Sequence, residues 1–131
     1  MSKIESIKVV LLGDAGVGKT DIIHQVIYHK FVSDPPATSM SSYFDKTINL
    51  EKLGKSINFS IWDTPGTEKL RPITRLMFKK AKVIILVYDA TYKKTFKSIK
   101  DYWYEDVIKN LDYKPIFFVV VNKIDLSGSR S

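Results

Sequence analysis

Residues 13 to 20 read GDAGVGKT, set between the apolar run Ile7 to Leu12 and an amphipathic stretch that opens at Asp21. Gly13, Gly16 and Gly18 leave the main chain without Cβ atoms where its N–H groups turn toward one point, and the positive end of a following helix faces the same point. Lys19 adds a point charge and Thr20 a hydroxyl suited to Mg²⁺, so the segment reads as a phosphate cradle, with Asp14, Ala15 and Val17 completing the loop. The plainer alternative is a glycine turn with no ligand. Either way the chain must end a strand and begin a helix within a few residues, which favours a sheet buried on both faces.

The rest of the sequence repeats that alternation. Asp21 to His29 has helical periodicity through Ile22, Ile23, Val26 and Ile27, and residues 31 to 42, with Pro35 next to Pro36, predict an extended surface loop. Tyr43 to Leu50 and Ser56 to Trp62 read as an antiparallel hairpin about LEKLGK. Arg71 to Lys80 and Thr91 to Leu111 predict helices, while VIILVY (83 to 88) and IFFVVV (116 to 121) are short apolar runs of buried-strand type. The expected fold is α/β with a doubly wound, mostly parallel sheet. Residues 127 to 131, SGSRS, have the composition of a linker.

Composition narrows the function classes. With 131 residues and 44% hydrophobic content the chain is long enough for one core and too short for two. No apolar stretch approaches the roughly eighteen residues of a membrane span, and the N-terminal apolar run leads straight into the glycine loop rather than into a cleavage site. A soluble, cytoplasmic protein is expected. The absence of cysteine excludes disulfides, thiolate metal sites and prenylation or palmitoylation on the chain as given, so membrane attachment is expected through a C-terminal part beyond it or a partner. The formal charge of +7 is spread out, and Lys93, Lys94, Lys97 and Lys100 surround the polar side of a helix whose apolar members are Phe96, Ile99, Tyr102 and Trp103. That pattern predicts a solvated face rather than a nucleic-acid groove.

Two further motifs fall at strand ends. In WDTPG (62 to 66) Asp63 can reach a metal shell and Gly66 offers an amide to a terminal phosphate. In NKID (122 to 125) Asn122 and Asp125 suit hydrogen bonding to a purine edge, Asp125 accepting two N–H groups of guanine, while the Lys123 stem covers the ring. Each is weak alone, since a turn or a helix cap explains it. Their order at successive strand ends places a nucleotide across the carboxyl edge of the sheet.

On LLGDAGVGKT, IWDTPGTEKLRPIT, VYDATYKKTF and VVNKIDL the chain resembles the Ras superfamily of small GTPases, and the Rab branch most. The resemblance implies a P-loop fold that binds GTP or GDP with Mg²⁺, the metal held by Thr20, Thr38 and Asp63. It places Phe31 on the guanine ring, makes Lys19, Thr38 and the residue at Thr67 the hydrolytic positions, and implies two switch segments that meet effector and regulator proteins, with Trp62 and Tyr43 on the effector surface. It also implies a role in vesicle traffic or signalling, peripheral at endomembranes.

The resemblance is broken in places. Where the family has D-T-A-G-Q the chain has D-T-P-G-T, so Thr67 replaces a water-orienting glutamine, Pro65 replaces alanine, and slow intrinsic hydrolysis is expected. Ala15 adds a methyl to the phosphate loop, and Asp21 adds a carboxylate near the phosphates. The segment after Thr38 is SMSSY rather than I-G-V-D-F. The family's last strand and helix have no counterpart through Ser131, which leaves residues 1 to 126 as an incomplete G domain. The run 116 to 121 is then expected at a sheet edge, covered by a second domain or subunit or by a second copy. The competing reading is a pseudo-GTPase that acts as a protein-interaction module. An ATPase or nucleotide kinase is disfavoured by NKID.

Overall fold

A computed structural model describes residues 4 to 28 and 42 to 123. Strand β1 (Ile4–Leu12) leads through the glycine loop into helix α1 (Lys19–Tyr28). Strands β2 (Ser42–Leu50) and β3 (Lys55–Asp63) follow, then α2 (Arg71–Met77), β4 (Val83–Asp89), α3 (Lys93–Ser98), α4 (Tyr104–Asn110) and β5 (Ile116–Asn122). The five strands lie in the order β2-β3-β1-β4-β5. β1 pairs in parallel with β3 and β4, β5 pairs in parallel with β4, and β2 runs antiparallel to β3. This is the mostly parallel α/β sheet that the alternation predicts.

The apolar runs are continuous because the central strands are covered on both faces. Val10 and Leu12 point into one core with Phe78, Ile84, Leu86, Ile99, Trp103 and Val107, whereas Val9 and Leu11 point into the other with Val17, Ile23, Ile61 and Val87. Trp103, 0% exposed, is the largest side chain in the interior. The hairpin turn is a single 3₁₀ turn, Glu51–Leu53, closed by Gly54 at φ 61°, a left-handed conformation that glycine takes without a Cβ clash.

The helices after β3 differ from the sequence expectation in three ways. α2 stops at Met77 rather than Lys80, because Phe78 turns into the core and Lys80 adopts φ 66°. Thr91 stays outside the expected long helix because its amide and hydroxyl are both bonded to Asp89. Within that helix, Ile99–Trp103 is a π turn. The wider turn changes the phase of the helix, so that Trp103 is buried while Phe96, expected on the apolar face, is 42% exposed and rests against Tyr88.

β5 is an edge strand, and Ile116, Phe118 and Val119 are 56 to 60% exposed along it. Among the described residues no helix is long and apolar enough to cross a membrane.

Candidate functional site

Strand register brings the motifs together. Leu11 stands opposite Asp63 in the β1–β3 pair, Leu12 opposite Leu86 in β1–β4, and Asp89 opposite Asn122 in β4–β5. The ends of β1, β3, β4 and β5 therefore form one row at the carboxyl edge, where parallel α/β sheets bind ligands.

The glycine loop lies over this row. Lys19 is 5% exposed, and its Nζ donates to the carbonyl oxygens of Gly13 at 2.8 Å and Asp14 at 2.9 Å, closing the loop from inside. Burial lowers its pKa to about 8, against the opposing pull of Asp63 and Asp14. An ammonium so placed is desolvated and aimed along the loop, the state in which it attracts phosphate most strongly. Thr20 Oγ1 donates to Asp63 Oδ2 at 2.6 Å, joining the start of α1 to the end of β3. These are two hard oxygen donors side by side, the kind Mg²⁺ takes when phosphate oxygens and water complete its octahedron. No group of three or more His, Cys, Asp or Glu among the described residues forms a metal cage by itself.

The DTPG turn is pressed against the loop. Thr64 Oγ1 donates to Leu11 O at 2.6 Å, and a Cβ on Gly66 would run into the main chain of Gly13, Asp14 and Ala15. Only glycine lets the two segments approach so closely. Thr67, next along, is exposed.

From the far side, the end of β5 clasps the loop. Asn122 Nδ2 donates to Val17 O at 3.0 Å, and a Cβ on Gly18, which has φ 101°, would strike that amide. Lys123, at φ 61°, sends its Nζ to Gly16 O at 2.7 Å and to Asp89 Oδ2 at 3.3 Å. Burial pushes the Asp89 carboxyl upward, but the Thr91 hydroxyl and amide together with Lys123 outweigh it and hold Asp89 below the usual aspartate range. Asp21 goes the other way: burial raises it against the pull of His24 and Lys123, and its Oδ1 is buried with no hydrogen-bond partner among the described residues.

The structure thus brings together Gly13 to Asp21, Asp63, Gly66, Thr67, Asn122 and Lys123. Phe31, Thr38 and Asp125 lie outside the described residues. Sequence reading did not single out two contributors. Asp89 anchors Lys123, and the signal available for it was an aspartate closing an apolar strand. Trp103 donates its Nε1 to Asp14 Oδ1 at 2.9 Å, a contact between distant segments.

Comparison with known proteins matches residues 8–131 to the Ras family model. The chain is 33% identical to a probable Rab-related GTPase of Acanthamoeba polyphaga mimivirus over 94% of its own length and 56% of that protein. It is 35% identical to Ras-related protein Rab-21 of Mus musculus over 95% of its length and 55% of that protein, and 37% identical to Ras-related protein RabJ of Dictyostelium discoideum over 94% and 47%. The chain spans about half the length of these relatives. The match runs through every motif that the fold gathers at this edge, and the chain belongs to the Ras family, with Rab proteins as its relatives.

Proposed function

We propose that the chain is a Rab-like molecular switch that binds GTP or GDP with Mg²⁺, hydrolyses GTP slowly by itself, and signals through effector and regulator proteins in vesicle traffic. The observation that carries the reading is the double clasp of the phosphate loop, from within by Lys19 and from β5 by Asn122 and Lys123. It joins a phosphate cradle to the first two residues of a guanine-type motif. In this reading the loop amides and Lys19 hold the phosphates, Thr20, Thr38 and Asp63 hold the metal, and Gly66 senses the terminal phosphate. Phe31, Asn122, Lys123 and Asp125 hold the base. Effectors meet Tyr43 and Trp62, whose rings lie 5.0 Å apart on the hairpin surface.

Slow hydrolysis follows from Thr67, which is exposed and has no amide with which to orient a water. The same residue favours a second reading, a pseudo-GTPase whose work is protein interaction. Titration of nucleotide-free protein with fluorescent GDP, a GTP analogue and ATP in Mg²⁺, followed by single-turnover hydrolysis, separates the two. Guanine-specific binding with slow cleavage is expected. Binding with no cleavage supports the interaction module, and equal affinity for ATP would overturn the guanine assignment.

A further inference from the structure

At the edge of the sheet opposite the phosphate loop, β4 and β5 are each preceded by a short turn, residues 78 to 82 and 111 to 115, and the two turns are joined. Lys82 N donates to Lys8 O at 3.0 Å, Ile116 N to Lys82 O at 2.9 Å and Tyr113 Oη to Ala81 O at 2.7 Å, while Lys8 Nζ donates to Lys79 O at 2.9 Å. Ala81 and Pro115 are buried within this frame. Lys79, Lys80, Lys82 and Lys114 stand out of it, all exposed, and none of them makes an ion pair among the described residues. Asp112 is the one acidic residue in the two turns.

Like charges gathered in this way repel one another. The effect reaches Lys8, whose pKa is lowered by burial first and by the Lys80 charge second. Lys80 also holds φ 66° in the turn that closes behind α2, a left-handed conformation that glycine takes freely and lysine takes at a cost. Glycine would make that turn more stable. A backbone held against its own preference and against neighbouring charge, so that one ammonium stands in a fixed place, points to a function for that charge. The same observation discriminates between partners, because a fluid layer of lipid headgroups does not register where one lysine stands, whereas carboxylates fixed along a chain do. Tyr113, the aromatic residue of the turns, directs its hydroxyl inward onto Ala81 O, the reverse of a tyrosine seated at a membrane interface with its ring in and its hydroxyl toward water.

We propose that this amino edge of the sheet is a docking surface for an acidic segment of a partner protein, with Lys79, Lys80, Lys82 and Lys114 meeting its carboxylates. Charge complementarity supplies the attraction, and the main-chain bonds that pin the two turns present the ammonium groups without further ordering of the backbone. The surface lies at the other end of the strands from the phosphate loop and the DTPG turn, so a partner held here leaves the nucleotide edge open. Engagement is therefore independent of the nucleotide bound, and the inference stands apart from the guanine-nucleotide reading above.

The test titrates the full chain into fluorescent octaglutamate, with octaglutamine as the neutral probe, and reads anisotropy. Octaglutamate should bind at least about tenfold more tightly than octaglutamine and should weaken as salt rises to about 0.3 M. Lys80→Gly, which relieves the turn, should raise the thermal midpoint by about 2–5 °C while weakening octaglutamate by about two- to fivefold. Lys82→Glu with Lys114→Glu should abolish binding. Lys93→Glu with Lys97→Glu on α3 makes the same change in net charge and should leave affinity within about twofold, as should added GDP with Mg²⁺. Equal affinity for the two peptides, or an equal loss from the α3 reversal, would overturn the site. Phosphatidylserine vesicles that bind through Lys82 and Lys114 while octaglutamate does not would reassign the surface to a membrane and overturn the protein partner.

Discussion

Trp103 Nε1 donates to Asp14 Oδ1 at 2.9 Å, tying the π turn of the long helix to the phosphate loop across 89 residues of chain. The indole is wholly buried, and among the described residues this carboxylate accepts from its N–H. Trp103→Phe keeps the ring and removes the donor. It should cost about 1–3 kcal/mol in urea unfolding and speed GDP release, because the loop whose carbonyls hold Lys19 loses its outer support. A double-mutant cycle with Asp14→Ala should give a coupling of about 0.5–3 kcal/mol, and purely additive effects would show that the bond does not brace the loop.

Lys19→Ala removes the ammonium that binds the loop carbonyls at 2.8 and 2.9 Å. Affinity for GDP and for a GTP analogue should fall by about tenfold or more, as expected for hydrogen bonds to a charged group. Calorimetric titration checks this, and unchanged affinity would remove Lys19 from the site.

Thr67→Gln places a side-chain amide at an exposed position next to Gly66. Single-turnover hydrolysis should rise, by up to about 10²-fold if that donor is the chief deficit. No rise, with nucleotide affinity intact, would move the defect to Pro65, which is buried beneath the turn, or to the Ala15 methyl.

Asp89 yields a pH prediction. Its carboxyl is held below the ordinary 3.8, so the unfolded chain takes up its proton first as the solution is acidified. The stability that Asp89 contributes is complete above that ordinary value and is lost as pH falls through the lower folded one. The stability difference between wild type and Asp89→Asn should therefore be constant from pH 7 down to about pH 5 and shrink below pH 4. A difference that persists unchanged to pH 2 would mean that the carboxylate charge is not what Thr91 and Lys123 recognise.

The parts of this architecture that local rules decide were legible in the sequence. Glycine spacing set the loop between β1 and α1, LEKLGK set the hairpin, and unbroken apolar runs marked strands covered on both faces. The site was legible in the same measure, because GDAGVGKT, DTPG and NK each sit where a strand stops. What stayed hidden depends on contacts between distant segments. The π turn has no composition of its own and shows only in how Tyr102 and Trp103 are placed against α2 and the loop. Likewise, Asp89 reads as an ordinary strand end until Asn122 and Lys123 arrive beside it from β5.

The register of β1 against β3 fixes where the proposed metal-holding pair stands. Because Leu11 is opposite Asp63, the carboxylate arrives 2.6 Å from the hydroxyl of Thr20. A slip of one residue along β3 would carry Asp63 about 3.3 Å away and turn it to the opposite face of the sheet. If the proposed Mg²⁺ site is right, substitutions in the β1–β3 seam that shift this register would alter Mg²⁺ dependence although they lie far from any phosphate.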